Sequence, residues 1–274
     1  MNLEFSVLMS VYFNDSKENL EKSLLSVINQ SVVPKEIIIV LDGKLPTDLE
    51  LFIYNFSKNY SIIKIVALKE NKGLGNALAE GTKYITTSLI ARMDADDIAI
   101  PERFEMQLKM FSQDHTIGIV GGQIAEFQGD KENVLSYRKV PVSDPEIRKF
   151  AKYRSPFNHP TIMIKKELLT SVGGYVDYPF LEDYFLWIRI LSQTNVKVKN
   201  IDKTLVYMRV DDGLYSRRGG LKYLKSYTSL KTYAYKIQFI GISEYLMTVS
   251  SMIMSSLFPS PIRKCFYRLF LRRK

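Results

Sequence analysis

Short apolar runs alternate with segments of helical periodicity through the first half of the chain. Residues 5–11 and 36–41 are nearly continuous apolar runs, as expected of strands buried on both faces, and 62–68 and 88–93 repeat the pattern. Between them Leu20, Leu24, Val27 and Ile28, and then Leu74, Ala77, Leu78 and Gly81, fall at spacings that put each set on one face of a helix. Asp42-Gly43 closes the second run, and Asn71-Lys72-Gly73 leads into the second helix. Pro101 suits the first turn of a further helix whose buried stripe is Phe104, Leu108 and Phe111. This alternation predicts an α/β domain with a mostly parallel central sheet flanked by helices. After 117–121 the order is less regular: strands are expected near 123–127, 133–138, 161–165 and 196–200, and a helix over 181–191. The domain therefore reads as two halves, 1–121 and 122–214, the second placed to receive a second substrate.

Composition agrees with a packed domain and adds an extension. The chain has 274 residues, 46% of them apolar, enough for one large α/β core. The net charge of +9 is unevenly placed, since residues 215–274 carry 12 Lys and Arg against the single acid Glu244. A boundary is expected at 215. Residues 245–258 are apolar apart from Ser and Thr, and shorter than the ~20 residues that a spanning helix needs. In 262–274, Cys265, Phe266, Leu269 and Phe270 alternate with Arg263, Lys264, Arg268, Arg272 and Arg273, the pattern of an amphipathic helix lying on a membrane. The extension is thus expected to be helical and to meet an anionic membrane surface rather than nucleic acid. Glu4 and Ser6 break the first apolar run and no basic segment precedes it, so no signal peptide is expected. Cys265, the one cysteine, has no partner for an internal disulfide, which suits a reducing compartment.

The candidate chemistry lies where strands end, the place where open α/β sheets collect ligands. Ser10 and Tyr12 flank the end of the first strand, Asp42 ends the second, and Asp94-Ala95-Asp96-Asp97 follows the fourth. Three acids within four residues repel one another in a low-dielectric setting, and a bound cation removes that repulsion. Carboxylate oxygens select a hard ion, Mn²⁺ or Mg²⁺. Asp97 alone could instead cap the helix that follows. Glu182-Asp183 stands at a helix start, where acids serve either the helix dipole or proton transfer. Residues 6–12 contain no glycine, which argues against the phosphate loop of a nucleotidyltransferase, and Gly73-x-Gly75 lacks the third glycine of a dinucleotide site.

Taken in order, Ser10-Val11-Tyr12, the stretch 24–30, Asp42-Gly43, Asn71-x-Gly73, Asp94-x-Asp96-Asp97 and Glu182-Asp183 resemble the family 2 glycosyltransferases of GT-A fold, over roughly residues 3–210. The resemblance implies that Asp42 meets the uracil edge of a UDP-sugar, Tyr12 covers the base, and Ser10 and Asn71 line the donor site. Asp94 would hold ribose and share the metal with Asp96, and Asp183 would be the base of an inverting transfer, with Glu182 orienting it or meeting the acceptor. Two departures stand out: Leu41-Asp42 replaces a pair of acids, and Gly75-Asn76-Ala77 replaces Ala-Arg-Asn, removing a cation near the diphosphate. Arg217 and Arg218 are expected to supply that charge. The segment Asn158-His159-Pro160 is similar to one in bacterial exopolysaccharide and O-antigen repeat-unit transferases of the amylovoran-biosynthesis type. That likeness implies a hexose, galactose by preference, delivered to a sugar linked to undecaprenyl diphosphate, with His159 near the acceptor phosphate. It also implies a cytoplasmic protein bound to the inner face of the cell membrane. Two other readings stand beside it: a metal-dependent nucleotidyltransferase, and a non-catalytic protein of this fold that binds a membrane surface.

Overall fold

The computed structural model describes residues 3–210 and 220–257. Strands β1 (Phe5–Val11), β2 (Glu36–Leu41), β3 (Ile63–Ala67) and β4 (Leu89–Arg92) pair in parallel in the order β3-β2-β1-β4. Successive side chains of a strand point to opposite faces. Val7, Met9, Ile37 and Ile39 accordingly enter one core with helices α1 (Lys17–Ile28), α2 (Thr47–Asn59) and α4 (Arg103–Gln113). Leu8, Ile38 and Val40 enter the other with α3 (Leu74–Thr82) and α7 (Glu182–Gln193). Burial on both faces explains the unbroken apolar run of β2. It also leaves the carboxyl ends of the parallel strands as the edge at which polar residues gather.

Beyond β4 the sheet is mixed. Strand β8 (Met163–Lys165) is antiparallel to both β4 and β6 (Ile117–Phe127), while β9 (Lys197–Arg209) runs parallel to β6. The short β5 (Ile98–Ala99) and β7 (Val134–Arg138) add antiparallel edges. The two strands expected at 117–121 and 123–127 are one, buried at all eleven positions. Strand β9 extends well past residue 200 because β6 supplies hydrogen-bonding partners for it as far as Arg209. Helices α2, α5 (Asp144–Ala151) and α6 (Lys166–Ser171) go beyond the sequence reading. For α5 a signal was present: Ser143 and Glu146 form a capping box, the Ser143 amide donating to Glu146 Oε2 at 3.3 Å.

The extension begins as part of the domain. Helix α8 (Gly220–Lys236) buries Tyr223, Tyr227, Leu230 and Ala234 against Leu181, Tyr184 and Ile188 at the start of α7. Helix α9 (Ile242–Leu257) follows and leaves Ile242, Leu246, Met247, Ile253 and Met254 exposed. The expected interfacial helix at 262–274, Cys265 within it, and both Arg217 and Arg218 lie outside the described residues.

Candidate functional site

Asp42 is nearly fully buried at the end of β2 and pins the following turn. Its Oδ1 accepts from the Lys72 amide at 2.7 Å and its Oδ2 from the Gly73 amide at 3.1 Å. Asn71 Nδ2 donates to the Asp42 backbone carbonyl at 3.2 Å, so the two residues expected at the donor are tied together. The turn approaches so closely that a Cβ on Gly43, whose φ is +86°, would lie 2.5 Å from the Asn71 nitrogen. Ser10, half-buried, and Tyr12, exposed, stand at the neighbouring end of β1.

The acidic loop after β4 is held by three hydrogen bonds, one from α1 and two from Arg209. Ser23 Oγ donates to the Asp94 carbonyl at 2.7 Å, Arg209 Nε to the Asp96 carbonyl at 3.2 Å, and the Arg209 amide to Asp97 Oδ1 at 2.8 Å. Asp97 therefore ties the loop to the end of β9. The expectation that it caps the next helix is corrected, for α4 starts at Arg103 without a side-chain cap. Beneath the loop the buried Arg92 forms an ion pair with Asp94. Burial acts to lower the Arg92 pKa, yet the Asp94 charge and hydrogen bond outweigh it and the net direction is up.

The other acids of the cluster are pushed up by burial and by one another. Burial, then the Asp94 charge, pushes the Asp96 carboxyl up to about 6. Asp97 is driven well above the usual carboxylate range by burial and by Asp94 and Asp96, and its Oδ2 has no hydrogen-bond partner among the described residues. Asp15 joins the group. Burial raises it to about 7, the Tyr12 amide that donates to its Oδ2 at 2.8 Å opposes that, and the charges of Asp96 and Asp94 add to it.

No group of three His, Cys, Asp or Glu among the described residues is arranged to hold a metal ion. A small hard cation bound through one or two carboxylates together with substrate phosphates needs no such cage. Asp96, close enough to feel the Asp94 charge, and the half-buried Asp94 itself fit that requirement. Sequence reasoning missed Asp15, Arg92 and Arg209. An ionisable residue inside the apolar run 88–93 was a signal for Arg92, whereas nothing local connects Arg209 to a loop more than a hundred residues away.

Glu182 and Asp183 occupy the first turn of α7, facing the same edge. Ser155 Oγ donates to Asp183 Oδ2 at 3.1 Å. Burial, then the Asp183 charge, raises Glu182 to about 7, and Asp94 adds to it, which puts the two acidic groups within electrostatic reach of each other. The contact is close on the donor side too, since a Cβ on Gly75 would lie 2.3 Å from the Val176 carbonyl oxygen and 3.4 Å from Glu182 Cβ. Gly75→Ala is expected to force α3 away from the 176–182 segment and to cost about 1–3 kcal/mol, as overpacking does; a urea melt checks this.

His159 lies in the core beneath this edge. It is buried, its Nε2 pairs with the Tyr175 hydroxyl at 3.0 Å, and burial and the Arg92 charge hold it well below the usual imidazole range. The imidazole packs near Trp187, 6.0 Å between ring centroids, and supports the core; its expected role at an acceptor phosphate gains nothing from this placement. Asn158 beside it is also structural: its Nδ2 donates to the Gly122 carbonyl at 2.8 Å, and its Oδ1 accepts from Arg138 at 2.5 Å.

Comparison with known proteins places this arrangement. Residues 6–173 match the family model described as Glycosyl transferase family 2. The chain is 35% identical over 270 residues, 98% of its length and 97% of the relative's, to the UDP-Gal:alpha-D-GlcNAc-diphosphoundecaprenol beta-1,3-galactosyltransferase of Escherichia coli. It is 34% identical over 226 residues, 82% of its length and 84% of the relative's, to the amylovoran biosynthesis glycosyltransferase AmsE of Erwinia amylovora. The crystal structure of S. aureus TarS 1-349 in complex with UDP-GlcNAc superposes with a TM-score of 0.67 at 17% identity, covering 98% of this chain and 76% of that one, and shares the expected GT-A fold.

Proposed function

This chain belongs to glycosyl transferase family 2, and we propose that it moves a hexose, galactose by preference, from a UDP-sugar to a sugar carried on a lipid diphosphate, with inversion at the anomeric carbon. The observation that carries the reading is the close approach of α3 to the 176–182 segment, which brings the first turn of α7 to the donor side, with Asp94 near enough for its charge to act on Glu182. The E. coli relative, matched over nearly the whole of both chains, supports the donor and the acceptor class.

In this reading Tyr12 covers the uracil, Ser10 lines the donor site, and Asp42 meets the base edge while keeping the Asn71-Lys72-Gly73 turn in place beneath it. Asp96, with help from Asp94, holds Mn²⁺ or Mg²⁺, an ion that supplies positive charge to the departing diphosphate. Asp183, oriented by Ser155, accepts the proton of the acceptor hydroxyl as that oxygen attacks the anomeric carbon from the face opposite UDP. Glu182, its neighbour on the same turn, borders the acceptor. Arg217 and Arg218 are assigned to the diphosphate from their charge in the sequence, in place of the cation the family carries after Asn-x-Gly.

The acceptor's lipid places the enzyme at the inner face of the membrane. Among the described residues no helix is long and apolar enough to cross one. Helix α9 instead presents its exposed Ile, Leu and Met residues, and Glu244, the one acid of the extension, is drawn inward to Lys152 at 3.4 Å and to the Gly241 amide at 3.0 Å. A surface so arranged suits an anionic bilayer, with the basic segment after it adding attraction.

The test is transfer from UDP-, GDP- and dTDP-sugars to diphospholipid-linked GlcNAc in anionic liposomes. UDP-dependent product that co-floats with the enzyme is expected. Product from another nucleotide alone would refute the donor assignment, and activity without flotation would refute the membrane one.

A further inference from the structure

Lys231 on α8 is fully buried, an uncommon place for an ammonium group. Its Nζ donates to the Lys152 carbonyl at 2.8 Å, the Tyr153 carbonyl at 3.4 Å and the Tyr184 hydroxyl at 2.6 Å. The rings of Tyr184 and Tyr227 flank it, 4.8 and 5.5 Å from the nitrogen to their centroids. Tyr184 in turn donates to the Ala151 carbonyl at 2.7 Å. Carbonyls 151–153 close helix α5, where the last turn leaves acceptors without helical donors and the helix dipole favours a cation.

Two routes lead from this knot to the candidate base. Tyr184 follows Asp183 directly on α7. Ser155, which donates to Asp183 Oδ2, lies two residues past the Tyr153 carbonyl. Burial pushes the Lys231 ammonium down to about 7, a cost that an apolar side chain of similar length would avoid. What an apolar residue could not do is bridge the end of α5 to the first turn of α7.

We infer that Lys231 is a positioning residue for sugar transfer: it holds the 151–155 segment and the start of α7 in one register, so that Ser155 and Asp183 meet. The C-terminal extension then completes the active site from behind. This rests on the reading of Asp183 as the base.

Lys231→Met keeps the length of the side chain and removes its charge. Counted per UDP-sugar binding site in folded protein, kcat for transfer should fall about tenfold while donor affinity stays within about twofold, because a small displacement of a catalytic group is costly. Tyr184→Phe keeps the ring and removes only the bridging hydroxyl, and it should give a similar loss. The double variant should fall little further, since residues in one network are not additive. Wild-type kcat in both single variants, a donor KM that rises as kcat falls, or a fully multiplicative loss in the double variant would overturn the inference. If Lys231→Met does not fold, Tyr184→Phe decides alone. Asp183→Asn in the same assay separates the two ideas: if it keeps turnover the base assignment fails, and if it is inactive while both positioning variants are unaffected only the role of Lys231 fails.

Discussion

Asp183→Asn is expected to lower sugar transfer by at least about 100-fold, near 3 kcal/mol of transition-state stabilisation, while UDP-sugar affinity measured by calorimetry stays close to wild type. The asymmetry follows from position. Asp183 stands on the first turn of α7, held by Ser155, whereas the donor-side groups are carried by β1, β2 and the loop after β4. An amide preserves the shape and the hydrogen bond from Ser155 but cannot accept the acceptor's proton at neutral pH. A parallel loss of donor affinity would mean that Asp183 belongs to the donor site. Near wild-type turnover would leave Glu182, raised to about 7, as the better base.

Chelation by EDTA should abolish transfer, and added Mn²⁺ or Mg²⁺ should restore it. Asp96→Asn should lose at least about 100-fold and should not be rescued by metal, in line with removal of a group that anchors charge stabilisation at the leaving diphosphate. The electrostatics give this a pH signature. A ligand carboxylate must be deprotonated, so protons compete with the metal as the pH falls through the Asp96 value of about 6, and metal affinity should weaken there. Undiminished transfer in EDTA would remove Asp94 and Asp96 from any metal role and recast the loop as a binder of ribose alone.

Much of the donor half was legible in the chain because its information is local. A buried parallel strand announces itself as an apolar run, a helix as a periodic stripe, and the acids at strand ends stand out against both. Strands β1 and β2, helix α3, and the placement of Ser10, Tyr12, Asp42, Asn71 and the acidic loop at one edge all follow from patterns a few residues long. The resemblance to family 2 rested on the order of those same short elements, and comparison with known proteins agrees with it.

Other features depend on residues far apart in sequence. The length of β9 and the unity of β6 come from pairing with each other, so neither strand carries the whole signal. His159 reads as a polar site residue until packing encloses it with Tyr175 and Trp187. Asp97 looks like a cap until the Arg209 amide claims it, and Asp15 looks like part of a turn until folding sets it beside Asp94 and Asp96. The acidic cluster itself was plain in four consecutive residues. Its division of labour was not: Asp94 paired with Arg92, Asp97 spent on β9 and Asp96 raised by burial and by the Asp94 charge are outcomes of burial and long-range contact, which set charge, exposure and hydrogen bonding only once the chain has closed on itself.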